Sequence, residues 1–164
     1  MKCSLFFKRV LLNLSLIILL FCSSLVWAAP SYGSIRQQEE KPGQMLYQSR
    51  QSIRDDQGQT WQVILFKRVK DGVVEQVDLR LSGYPEQAVF RHPAELKIME
   101  GDRLLTAPDQ FAAEAPAKNI GQFDLSEILP LLPTSDSVQL NLPLDNPVTI
   151  DIPVAVLLEW QLIM

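Results

Sequence analysis

The chain carries one histidine, His92, and two cysteines, Cys3 and Cys22. A lone imidazole can act as a base beside a nucleophile, but "FRHPAE" contains no Gly-x-Ser-x-Gly elbow or similar frame. One histidine cannot complete a multi-histidine metal site, and Pro93 biases it toward extended backbone. A structural role is therefore expected for His92. Carboxylates could work in pairs, and the candidates are Glu39-Glu40, Asp55-Asp56 and the trio Asp102, Asp109 and Glu114. The first two pairs fall in a polar tail and a turn, where water surrounds them. The chain has no acidic calcium loop and no glycine-rich phosphate loop, and no cofactor is expected. Lys67, Arg68 and Lys70 form a small basic spot beside Trp61 and Phe66, read as a solvated strand end rather than a nucleic-acid platform.

Asp109 belongs to a more informative stretch, "TAPDQFAAEAPAKNIGQFDL". From about 107 to 121 it reads as a loop, and loops of that length are often functional. It holds Asp109, Phe111, Asn119, Gln122 and Phe123, two aromatic rings beside polar amides, suited to a ligand or a partner. A strap over the core is the structural alternative. Trp160, near the C-terminus, completes the candidate contact surface.

The elements that must position these residues have period two. In "TWQVILFKRV", Trp61, Val63 and Leu65 alternate with Gln62, Ile64 and Phe66, the pattern of a central strand. In "VVEQVDLRLS", Val77, Leu79 and Leu81 face one way and Gln76, Asp78 and Arg80 the other. Lys70-Asp71-Gly72 predicts a tight hairpin between these strands. Gly58 in "RDDQG" predicts another, pairing 45–54 with 60–69. Gly101-Asp102 joins "AELKIME" to "RLLTA", and "PLDNP" joins Val138, Leu140 and Leu142 to Val148, Ile150 and Ile152. "DLSEILPLL" predicts one or two helical turns, with Asp124 or Ser126 as N-cap and Pro130 as the limit. The C-terminal "IPVAVLLEWQLI" predicts a helix capped by Asp151 with Pro153 in its first turn. That helix is apolar nearly all round, so it must be covered, either as a lid on the core or as a docking surface. The expected fold is mainly β, a small antiparallel barrel or sandwich with one or two short helices.

Lys2, Lys8 and Arg9 precede an apolar run at 10–21, then Cys22, Ser23 and Ser24, then Val26-Trp27-Ala28. That is the order of a secretory signal, with suitable residues at positions −3 and −1 for cleavage after Ala28. The run is shorter than the about 20 residues of a spanning helix. A retained anchor and a lipid on Cys22 are the competing readings, and Phe21 before the cysteine disfavours the lipid. Cleavage would remove both cysteines and three basic residues, leaving 12 basic against 19 acidic side chains and a net charge of −7. Such a domain repels phosphate backbones, so nucleic acid is not an expected partner. The expected organisation is a signal peptide at 1–28, a flexible leader at 29–44, and one β-rich domain at 45–164.

The ordered set "SGYPEQAVFRHP", "TAPD", "NIGQFDLSEILPLLP" and "VAVLLEW" resembles a family of uncharacterised exported proteins in cyanobacteria. The resemblance covers about residues 48–160. It implies a cyanobacterial source and a place in the periplasm or thylakoid lumen, and it brings no activity and no catalytic residue. The resulting expectation is an exported, non-catalytic binding or assembly module. Its partner would be a protein, in solution or at a membrane. The alternatives are a small β-barrel carrying an apolar ligand such as a lipid or pigment, and, ranked below it, a carboxylate-based hydrolase.

Overall fold

The computed structural model describes residues 35–164. The signal-peptide reading of 1–28 and the start of the expected leader lie outside the described residues. Among the described residues nine strands form two antiparallel sheets. The first sheet contains β1 (Arg36–Lys41), β2 (Gln44–Arg54), β3 (Thr60–Lys70), β4 (Val73–Ser82) and β7 (Ile120–Asp124), in that order across the sheet. The second contains β5 (Leu96–Glu100), β6 (Arg103–Ala107), β8 (Val138–Leu142) and β9 (Val148–Ile152), in the order β6-β5-β8-β9.

Alternation explains both sheets. Trp61, Val63, Leu65, Leu79, Leu81 and Phe123 project from the first sheet into the same core as Leu96, Ile98, Leu140 and Ile150 of the second. Burying each such side chain contributes roughly 1.5–3 kcal/mol. The sheets form an open sandwich. A single bridge, Asp55 to Ile150, ties them at one corner, but the first sheet ends at β1 and β7 and the second at β6 and β9. Of the two expected forms, the sandwich is the one observed, and the space between the sheets is packed with side chains. The described residues form no closed barrel.

The three-stranded meander pairs as its turns dictate, with Met45 opposite Val69 and Arg54 opposite Thr60. Asp71 and Gly72 turn the next hairpin with φ of 49° and 81°. Positive φ at both central residues is what a two-residue hairpin demands, and glycine supplies it without steric cost. Gly121 has a different reason. A Cβ there would stand 2.5 Å from the Phe90 ring, so the ring packs against β7 only because no side chain intervenes.

Three boundaries differ from expectation. Arg36–Lys41, placed in the leader, is a strand whose residues are all exposed. It pairs with β2 as the edge of the first sheet, and its charge blunts that edge against further pairing. Asp124 does not cap a helix. It ends β7, its Oδ1 accepts from Ser126 N at 2.8 Å, and Leu125 N donates to Val77 O. Only a short 3-10 turn, Leu129–Leu131, follows. At the C-terminus β9 runs on through Ile152, so Asp151 is a strand residue. Pro153 is itself the N-cap of α1, Val154–Gln161. This helix is a lid. Val156, Leu157 and Trp160 enter the core, Glu159 accepts from Gln51 Nε2 of β2 at 3.0 Å, and Leu158 faces water. No helix among the described residues is long and apolar enough to cross a membrane.

Candidate functional site

The outward face of the first sheet carries the most polar chemistry. Register lines up its side chains across the strands: Arg50, Ile64, Arg80 and Gln122 in one row, and Gln48, Phe66, Asp78 and Asp124 in the next. Arg36 and Arg54 lie on the same face, both exposed. The face therefore gathers arginines in a chain whose net charge is −4.

Its centre is a hydrogen-bond relay. Arg80 donates through Nε and Nη2 to Gln122 Oε1, at 2.9 and 2.6 Å. Gln122 Nε2 donates to Asp78 Oδ2, and Gln76 Nε2 donates to the same oxygen. Gln76 Oε1 in turn accepts from Arg68 at 2.8 Å, and Arg68 also pairs with Glu40 at 2.9 Å. Two amides thus link two arginines to one carboxylate. Phe66, only 4% exposed despite pointing outward, is roofed by both guanidinium groups, which stand 5.0 Å (Arg68) and 5.3 Å (Arg80) from its ring centre. That distance suits a cation over an aromatic face.

Asp78 is fully inaccessible, yet by parity it projects from the outward face of the sheet rather than into the space between the sheets. Burial, with the charge of Asp124 directly opposite, pushes its carboxyl up from 3.8 to about 6, against the hydrogen bonds from Gln122 and Gln76. Its Oδ1 has no hydrogen-bond partner among the described residues. Burial, and the neighbouring Arg68 charge, hold Arg80 below the usual guanidinium range. The Arg68 hydrogen bond holds Glu40 below the usual carboxylate range.

Beside this relay sits the loop over residues 108–119. Asp109 bridges to Phe123 on the free edge of β7, with Gln110 N donating to Gln122 O and Asp124 N to Pro108 O. Its carboxylate holds His92 Nδ1 at 2.6 Å, Phe111 N at 2.9 Å and Ala94 N at 3.3 Å. An aspartate that orients an imidazole is one half of a base mechanism. Here the other nitrogen, Nε2, is buried and meets no hydrogen-bonding group among the described residues. The pair acts as a clip that fastens the loop to the segment after Phe90. His92→Ala is expected to cost about 1–3 kcal/mol, since it strips a charge-assisted bond from a buried carboxylate. It should also speed amide exchange at Gln110 and Phe111 while β3 and β4 keep their protection. Unchanged exchange in that loop would refute the clip.

The candidate contact residues separate into three groups. Asp109, Phe111 and Gln122 come together, because Phe111 stands 6.0 Å from the Arg80 guanidinium and 6.5 Å from the His92 ring. Asn119 is apart from them. Its Nδ2 donates to Gly83 O at 2.7 Å and pins the start of β7 to the end of β4. Phe123 and Trp160, expected on the surface, are 0% and 1% exposed and belong to the core. Phe123 alternates with Gln122, so the two cannot share a face. Asp102 and Glu114 are exposed. Asp78 and Asp124 are opposite each other across β4 and β7, and Asp78 is inaccessible from outside. Sequence reading missed Phe66, Asp78 and Arg80 as a group, because Gln122, which joins Asp78 to the arginine that covers Phe66, is distant in the chain. Among the described residues no cluster of three or more histidine, cysteine or acidic side chains could hold a metal.

A family model described as "Protein of unknown function (DUF3122)" matches residues 33–163. The chain belongs to that family. Every strand of the DUF3122 sandwich, its lid helix and the whole arginine relay fall within the matched span. Neither the curated proteins nor the solved structures give a match.

Proposed function

We propose that this DUF3122 chain is an exported, non-catalytic binding module of a cyanobacterial periplasm or thylakoid lumen, and that it docks an acidic segment of a partner protein on the outward face of its first sheet. The observation that carries the docking reading is the fixed position of Arg80, whose fork is held by Gln122 above Phe66. An arginine ordered before binding loses little side-chain freedom when a carboxylate arrives. Arginine and aromatic side chains together are the usual anchors of protein interfaces. The export reading is supported by the order of basic, apolar and small residues over 2–28.

A library of aspartate- and glutamate-rich peptides, titrated against the chain at two salt concentrations, tests the docking. Arg80→Ala is expected to weaken the best binders about tenfold or more, a loss of about 1.4 kcal/mol, and Arg80→Lys should not restore them, because a lysine cannot form the fork. Binding that survives Arg80→Ala unchanged would refute the surface. Intact mass of the native polypeptide tests export: a start at Ala29 is expected, and a start at Met1 would refute it.

A further inference from the structure

Two adjoining hollows of about 130 and 340 Å³ lie at the end of the sandwich where the β2–β3 turn meets the β8–β9 turn. They share Thr60 and Tyr84 in their linings and count as one groove with Tyr84 at the junction. That ring is 61% exposed, while the floor of the smaller hollow is buried apolar surface from Trp61, Ala88 and Leu144. Apart from Asp55 the walls are uncharged. The amide residues Gln57, Gln59, Gln87 and Asn146 line one hollow, and Gln62, whose Nε2 donates to Ser52 Oγ at 2.6 Å, and Ser82 line the other. The one carboxylate present, Asp55, is already engaged. Its Oδ1 accepts from the backbone N–H groups of Gln57 and Gln59 at 3.0 and 2.8 Å, and its Oδ2 accepts from Trp61 Nε1 at 2.8 Å. Asp55 therefore shapes the groove and offers it no free charge.

This lining has a definite chemical preference. Each amide brings two donors and an acceptor, and each hydroxyl brings one donor with acceptor capacity. A ligand that satisfies them must carry many donors and acceptors of its own and no net charge. The exposed phenol ring adds a flat apolar face, matched by a ligand with a face of C–H groups. A pocket with few convergent polar groups over an apolar floor is the common form of a small-ligand site. We infer that the Tyr84 groove binds an uncharged saccharide, one ring stacking on Tyr84 and its hydroxyls taking the flanking amides. The site stands at the turn end of the sandwich and meets the arginine face only at its last row, Gln62 and Ser82; it uses neither Arg80 nor Gln122, on which the docking proposed above rests.

Calorimetric titration of the full chain with maltohexaose, cellohexaose and laminarihexaose tests it, with hexagalacturonate as the charged comparison. At least one neutral hexaose is expected to bind, and Tyr84→Ala should weaken it about tenfold or more. Tyr84→Phe keeps the ring and should bind within about threefold of the parent. Because Tyr84 is exposed, neither change threatens the fold. Arg80→Ala should leave saccharide binding unchanged, which separates failure of this site from failure of the docking face. Absence of binding by all three neutral hexaoses would overturn the inference. So would equal binding by Tyr84→Ala, or equal affinity for the charged hexamer.

Discussion

Phe123→Ala should lower the stability of the domain by about 3–5 kcal/mol, the cost of removing a large buried ring and leaving a cavity. That is a large share of the about 5–15 kcal/mol that holds a typical domain together. The ring is 0% exposed and stands 6.1 Å from Phe90, which in turn meets Trp61 edge-on at 6.0 Å. The three rings link β3, β7 and the segment between β4 and β5, so the loss reaches across the core. Urea unfolding at fixed pH checks it. Phe111→Ala is the informative contrast, because Phe111 is half-buried on the outward face. It should move the unfolding midpoint far less while weakening any acidic peptide that Arg80 binds. If Phe123→Ala left the midpoint unchanged, the placement of β7 in the core would be wrong.

Stability should also fall as pH rises from about 4 to about 6, through Asp78. Its carboxyl is raised in the fold from 3.8 to about 6, so the folded chain holds this proton more tightly than the unfolded chain. Below pH 4 both states are protonated and the group costs nothing. Between the two values folding takes up a proton, and above about 6 the fold carries a buried carboxylate. The difference corresponds to about 3 kcal/mol. Because the group lies on the outward face, close to solvent, screening relieves part of that, and about 1.5 kcal/mol is expected. Asp78→Asn removes the charge. It should stabilise the domain by about that amount at pH 7.5 and leave it nearly unchanged at pH 4. Equal effects at both pH values would show that the residue acts through packing alone.

Much of the architecture was legible because β strands that are half wet announce themselves by alternation. The β2–β3–β4 meander, the β5–β6 hairpin and the β8–β9 hairpin all follow from apolar parity and the glycines between them. β1 was not legible, since Arg36–Lys41 contains no apolar residue and both of its faces are exposed. Only its pairing with β2 makes it a strand. β7 escaped for the opposite reason: Gly121 breaks its pattern, and that glycine answers to the Phe90 ring, which arrives from elsewhere in the chain. The site was half legible. Asp109, Phe111 and Gln122 were found as polar and aromatic residues of one long loop, but aromaticity alone also drew in Phe123 and Trp160, which parity and the helix bury. Asp78 and Arg80 read as an ordinary wet face. Alternation tells which way a side chain points, and says nothing of whether its neighbours will close over it.

β7 returns to β4 only after the chain has built β5, β6 and the loop at 108–119. Pairings so distant in sequence are slow to form, whereas the meander needs only local turns. Arg80 and Asp78 wait for Gln122, so in a half-finished molecule Arg68 is already held by Gln76 and Glu40 while Arg80 lacks the amide that aims it. The docking proposed for this face is thereby reserved for polypeptides that have completed their assembly.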